Sequence, residues 1–255
     1  MHPDVLVLTP IKNAARHLDR FARGLERLTW PRGRLSLGLI EGDSTDDTWE
    51  RLETLLPALH ERCQQVGAWR LPFGFRIPAE YHRWAPPYQI PRRIVLAKSR
   101  NHLLFRALRD QQWVLWLDVD IIEYPPDIIE QLLAFEKDIL FPHPVFEYGG
   151  PTFDHNAWRD HGQTLMHHLR GGPDLVRLDA VGATMLLIRA DLHRSGLIFP
   201  PFPYGPDHPR GRRPNHLRGG QRGELESEGL GLMALDMGYQ CWGLPNLEIL
   251  HAPEA

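Results

Sequence analysis

The segment Trp113-Val114-Leu115-Trp116-Leu117-Asp118-Val119-Asp120 ends an apolar run on two carboxylates one residue apart. In an extended strand side chains alternate with period two, so Asp118 and Asp120 are expected on the same side. Two acids so close repel, and the repulsion is relieved when a divalent cation sits between them or one stays protonated. Mg2+ or Mn2+ suits the pair, because hard cations take oxygen ligands and bridge protein carboxylates to substrate phosphates. An isolated Asp-x-Asp is common; its place at the end of a buried-type strand makes this one a metal candidate.

Two further clusters carry chemistry. Glu41-Gly42-Asp43-Ser44-Thr45-Asp46-Asp47-Thr48 follows a second apolar run. In nucleotide-binding α/β sheets an acid there accepts hydrogen bonds from a ribose hydroxyl or a base N–H, the role expected of Glu41 and Asp43. Asp46 and Asp47 are read as complements to the dipole of the next helix. Arg92-Arg93-Ile94-Val95-Leu96-Ala97-Lys98-Ser99-Arg100-Asn101 places cations and amide donors at a helix start. Such an end favours an anion, and Arg100 is expected to contact a phosphate.

The elements that would hold these residues alternate. Residues 5–9 form an aliphatic run, after which Ala14, Leu18, Phe21, Leu25 and Leu28 recur at helical spacing. Residues 35–40 repeat the run, and Ser44, Thr45 or Asp46 caps a helix carrying Trp49, Leu52, Leu55 and Leu59. A helix over about 97–109 leads into the strand that stops at Asp118. Alternation of this kind predicts an α/β fold with a Rossmann-like, mostly parallel sheet, whose ligands bind beyond the carboxyl ends of the strands. Residues 182–188 are a further strand candidate, and Leu230, Met233, Ala234 and Met237 mark a helix that stops at Gly238.

Three stretches break the alternation. Residues 72–91, with Phe73, Phe75, Tyr81, Trp84 and Tyr88 among prolines, are expected to form an ordered surface loop. Residues 141–179 mix glycine, proline and five histidines and read as irregular with a short helix; His143, His155, His161, His167 and His168 are assigned structural roles. Residues 200–223 combine six prolines, Pro214 included, with Arg210, Arg212, Arg213, Arg218 and Arg222, and are expected to be mobile.

At 255 residues the chain can bury a large core, and a net charge of −3 with 24% charged residues gives no reason to expect nucleic acid as a partner. Cys63 and Cys241 lie far apart without metal-ligand spacing and are read as buried free thiols. No stretch approaches the roughly 20 apolar residues of a membrane span, so a cytoplasmic location is expected.

Leu8-Thr9-Pro10-Ile11-Lys12-Asn13-Ala14, Asp43-Ser44-Thr45-Asp46-Asp47-Thr48, Ser99-Arg100-Asn101 and Val114 through Pro126 succeed one another in an order that closely resembles the Anp1 family of mannosyltransferases. Asp179-Ala180-Val181-Gly182-Ala183-Thr184, Ile198 through Tyr204, Glu226-Ser227-Glu228-Gly229-Leu230 and Met237-Gly238-Tyr239 look like that family's later blocks. The resemblance implies a GT-A fold, a GDP-mannose donor, Mn2+ or Mg2+, and α-mannosyl transfer with retention to a saccharide or other hydroxyl-bearing acceptor. It implies one domain over residues 1–255, with 1–120 as the nucleotide-sugar half and 121–255 as the acceptor and metal-completing half. Thr9, Pro10, Asn13, Glu41, Asp43, Arg100 and Asp118 would hold the donor, and His251 would join Asp120 and Asp118 at the metal. Asp118, Asp120 and Glu228 would be catalytic, Glu228 through the acceptor hydroxyl or charge on the sugar. Peripheral membrane or homo-oligomer association stays open. The rivals are a sugar-phosphate nucleotidyltransferase, whose glycine-rich signature residues 9–15 lack, and an inactive donor-binding subunit of a transferase complex.

Overall fold

The computed structural model describes residues 2–78, 80–82, 85–212 and 222–253. Trp84, Arg213, Pro214 and Arg218, singled out above, lie outside the described residues. Strands β1 (Val5–Ile11), β2 (Leu35–Glu41), β3 (Gln65–Arg70) and β4 (Trp113–Leu117) pair in parallel, in the order β3-β2-β1-β4. The sheet continues through β10 (Met185–Arg189), β6 (Ile139–Val145), β11 (Cys241–His251) and β5 (Ile121–Glu123), with β9 (Val176–Leu178) also paired to β11. β10 runs antiparallel to β4 and β6, β11 parallel to β6, and β5 and β9 antiparallel to β11. Six strands of this sheet therefore run one way and three the other. A small ribbon, β7 (Trp158–Arg159) with β8 (Thr164–Leu165), sits apart.

Strand alternation divides the core into two layers. Val5 and Val7, Leu35, Leu37 and Leu39, and Leu115 and Leu117 pack against α1 (Ala15–Arg27), α2 (Thr48–Arg62) and α4 (Ile128–Leu133). Leu6, Leu8, Val114 and Trp116 face the other way, toward α3 (Pro86–Ala107), α5 (Ala190–Arg194) and α6 (Glu226–Asp236). α3 lies so close to β2 that a Cβ on Gly38 would stand 2.9 Å from that of Ala107, which explains glycine there.

Several boundaries differ from the sequence reading. α3 begins at Pro86, inside the stretch expected to be a loop, because prolines at the first helical positions sacrifice no intrahelical bond. β6 contains Pro142 and Pro144 and yet lies between β10 and β11, with a register shift in β11 between Leu244 and Glu248 where the pairing is interrupted. Above all, β4 ends at Leu117, and residues 118–120 form a turn closed by Ile121 N–H donating to the Asp118 carbonyl at 3.2 Å. The period-two argument for Asp118 and Asp120 therefore does not apply, although both still reach one cleft.

Candidate functional site

Beyond the carboxyl ends of β1, β2 and β4 lies a cleft of about 460 Å³, within the range of small-molecule sites. Pro10 walls it from the end of β1, Asn13 from the β1–α1 turn, Asp43 from the β2–α2 turn, and Asp118 and Asp120 from the turn after β4. Asn13 stitches the first two turns together: its Oδ1 accepts from Thr45 N–H at 2.7 Å, and its own N–H donates to Ser44 Oγ at 3.0 Å. Asp43 takes a left-handed φ of 61° and accepts main-chain N–H bonds from Phe73 and Gly74, each at 3.0 Å, and from Phe75 at 3.3 Å. Partial burial raises its pKa, but these three donors outweigh that effect and the net shift is downward. The carboxylate thus fixes the aromatic segment that closes the cleft while remaining on its wall.

Lys12, Arg76 and Arg92 supply positive charge to the same cleft. Lys12 Nζ donates to the Phe75 carbonyl at 2.6 Å, and burial lowers its pKa. Lys12 and Arg92 each belong to a sequence block singled out above, although neither was given a role of its own. Arg76 sits in the proline-aromatic segment, where no motif marks it.

Asp118 follows Trp116 on the α3 face of the sheet, and there it meets Arg100. The guanidinium donates to Asp118 Oδ1 at 2.9 Å and to the Ala183 carbonyl at 3.0 Å. It also forms an ion pair at 3.1 Å with Glu226, without hydrogen-bond alignment, and lies over Trp116 and Phe199. Burial raises the Asp118 pKa, Arg100 opposes the rise, and Asp120 and Glu226 add to it. Arg100 is only 2% exposed, and its charge is directed at Asp118 and Glu226.

Asp120 turns the other way. Its Oδ1 stands 3.2 Å from His251 Nε2, and the His251 ring stacks on Phe153 with centroids 3.4 Å apart. His251 Nδ1 lies 2.6 Å from the Ala252 carbonyl, which can only accept, so Nδ1 carries the proton. In neutral His251 the Nε2 lone pair then faces Asp120. Burial lowers the His251 pKa, but Asp120, joined by the Ala252 carbonyl and Asp118, more than compensates and the net shift is upward. A carboxylate and an imidazole oriented by a backbone carbonyl suit a divalent cation. Among the described residues no group of three or more His, Cys, Asp or Glu could hold a metal, so such an ion needs further oxygens, as Mg2+ and Mn2+ sites on substrate phosphates do.

The remaining expected residues stand back from the cleft. Thr9 is fully buried. Glu41, 1% exposed, accepts from Ser44 N–H at 2.9 Å and pairs with Arg70 at 3.1 Å, which shapes the turn. Glu228 is sealed: it accepts from Arg93 Nη1 at 2.7 Å and Trp158 Nε1 at 2.6 Å and pairs with Arg212 at 2.9 Å. Arg93 and Arg100 lie seven residues apart on one face of α3 and so meet the acids of α6 together. These contacts make Glu228 a buried anchor rather than a wall of the cleft. Two acids stand behind Asp118, of which only Asp154 went unmarked in the sequence; Glu226 lies in the Glu226-Ser227-Glu228 block beside the expected catalytic acid. Glu226 starts α6 with a φ of 54°, and buried Asp154 has its pKa raised to about 7, chiefly by desolvation. Cys63 and Cys241 are buried free thiols, as expected. No described helix is long and apolar enough to cross a membrane.

Known proteins share this architecture. The mannosyltransferase PcManGT from Pyrobaculum calidifontis, solved with GDP-Man and Mn2+, superposes with a TM-score of 0.58 at 14% identity, over 100% of this chain and 58% of its own. GalNAc-T7, solved with UDP, GalNAc and Mn2+, gives 0.60 at 13% identity, over 99% and 44%. The fold is that of the GT-A glycosyltransferases. In sequence the chain is 31% identical to the mannan polymerase complex subunit mnn9 of Schizosaccharomyces pombe, covering 98% of this chain and 80% of that protein. It is 28% identical to the mannan polymerase II complex anp1 subunit of the same organism, covering 98% of this chain and 64% of the relative's length. The Anp1 family model matches residues 1–174, and with the order of motifs and the GT-A sheet this establishes that the chain belongs to the Anp1 family.

Proposed function

We infer that the chain is a metal-dependent, retaining glycosyltransferase that moves mannose from GDP-mannose to a hydroxyl acceptor. The observation that carries this reading is the corner where Asp120 Oδ1 and His251 Nε2 stand 3.2 Å apart beside a cleft walled by Lys12, Arg76 and Arg92. The neighbour solved with GDP-Man and Mn2+ and the relatives named as mannan polymerase subunits support the choice of donor. Acceptor and assembly belong to the same proposal, because the chain spans 64% of the anp1 relative.

Asp120 and His251 would hold Mn2+ or Mg2+, with the Ala252 carbonyl fixing the imidazole tautomer. When bound, such an ion neutralises charge on the departing diphosphate. Lys12, Arg76 and Arg92 add positive potential along the same wall, and the Asp43-anchored segment covers the nucleotide. Asp118, held by Arg100 through one oxygen, would offer the other to the donor ribose or to a water on the metal.

Thermal melts with GDP or UDP, with and without Mn2+, test the reading. Ligand at 100 times its dissociation constant adds about 2.7 kcal/mol, so GDP with Mn2+ should raise Tm by roughly 5–10 °C. Equal stabilisation by UDP would overturn the choice of donor, and none by either nucleotide would overturn the site. The burial of Glu228 favours a second reading, a donor-binding subunit without its own chemistry. Metal-dependent hydrolysis of GDP-mannose by the isolated chain decides against that alternative, and its absence decides for it.

A further inference from the structure

The turn over residues 146–151 carries two exposed aromatic rings, Phe146 and Tyr148, 38% and 53% accessible. It is held tightly. A bridge between Val145 and Thr152 closes its base, and Phe146 N–H donates to the Pro151 carbonyl at 3.1 Å. Arg170 donates to the carbonyls of Gly149 and Gly150 at 3.0 and 2.9 Å. Glu248 accepts from Gly149 N–H at 2.7 Å and pairs with Arg170 at 2.9 Å. Tyr148 Oη donates to Glu123 Oε1 at 3.3 Å. Exposed aromatics on a turn fixed in this way are preorganised, so a ligand stacking on them loses little to ordering the protein.

The turn also has a definite address. The Phe146 ring lies 6.3 Å from that of His251 and 5.5 Å from that of Phe153, which stacks flat on His251. Glu123 belongs to β5, whose Ile121 pairs with His251. The platform therefore begins about one sugar ring from the Asp120–His251 corner.

We propose that Phe146 and Tyr148 form an acceptor subsite that stacks the apolar face of a neutral pyranose ring while Glu123 accepts from its hydroxyls. The assignment rests on the donor reading of the Asp120–His251 corner. A saccharide fits better than other occupants. The carboxylates of Glu123 and Glu248, both close enough to act on Tyr148, disfavour an anionic lipid surface, and two side chains are far too small for a protein interface of about 1,000 Å².

The test uses the whole chain with Mn2+ and GDP, and mannotriose as the probe. Saturation-transfer NMR should detect mannotriose on the wild type. Phe146→Ala with Tyr148→Ala should weaken it at least about tenfold, which is about 1.4 kcal/mol, with GDP affinity unchanged; Tyr148→Phe should keep most of the binding. Mannotriose that fails to bind the wild type, or binds the double variant equally well while GDP binding is intact, overturns the subsite alone. Loss of Mn2+-dependent GDP binding in the wild type overturns the donor reading and the subsite with it.

Discussion

Glu228→Ala separates a buried anchor from a catalytic acid. The carboxylate is fully buried and receives Arg93 at 2.7 Å, Trp158 at 2.6 Å and Arg212 at 2.9 Å. Removing it strands the Trp158 N–H and takes the nearest counterion from Arg93, whose side chain is 15% exposed. Breaking one side of a buried ion pair costs about 3–5 kcal/mol, and Glu226, at 3.9 Å from Arg93, recovers only part of this. Thermal melting should therefore fall by about 10 °C. Glu228→Gln keeps an acceptor for Trp158 and should fall between the variant and wild type. Mn2+-dependent GDP affinity, measured well below the melting transition, should survive in both. If Glu228→Ala melts within about 1 kcal/mol of wild type while sugar transfer stops, the anchor reasoning is wrong and the acid takes part in the chemistry.

Three further outcomes follow from the geometry. Asp154 has a folded pKa raised to about 7. Its contribution is therefore present below the unfolded value near 4 and is lost as pH rises toward 7. Melts of Asp154→Asn against wild type should diverge in the variant's favour across that window, and a constant difference would contradict the shift. In Gly182→Ala the new Cβ would stand 1.9 Å from Asp154 Oδ2 and 2.5 Å from Phe141 Cζ, so urea denaturation should show a loss of about 1–3 kcal/mol or more. Asp43→Ala removes the acceptor for three main-chain donors, and hydrogen exchange at Phe73, Gly74 and Phe75 should accelerate by roughly 10- to 100-fold, in line with bonds to a charged acceptor.

The parallel half of the sheet was legible because its strands are short apolar runs that stop at polar turns, as β4 stops at Asp118. Beyond it, β10 was legible from the apolar run 182–188, but β6 was not, because Pro142 and Pro144 argue locally against a central strand. Within the parallel half the exception is β3, an edge strand with a weak pattern that lacks a core signature. Among site residues, those at strand ends and in the turns that follow, Pro10, Asn13, Asp43, Asp118 and Asp120, do face the cleft. The burial of Arg100 and Glu228 was not legible, because charge type and spacing do not reveal whether a partner acid or base on a distant helix will neutralise the group. Glu226, more than 100 residues after Arg100, meets it only through the packing of α3 against α6.

The central claim is that Asp120 and His251 together hold a divalent ion shared with a diphosphate. Titrating the protein into Mn2+ and following the EPR signal of the free ion examines it directly. Wild type with GDP should deplete the free signal, and Asp120→Ala and His251→Ala, both still folded, should bind the ion at least about tenfold less tightly. Undiminished Mn2+ binding in either variant, or none in the wild type with GDP, would contradict it.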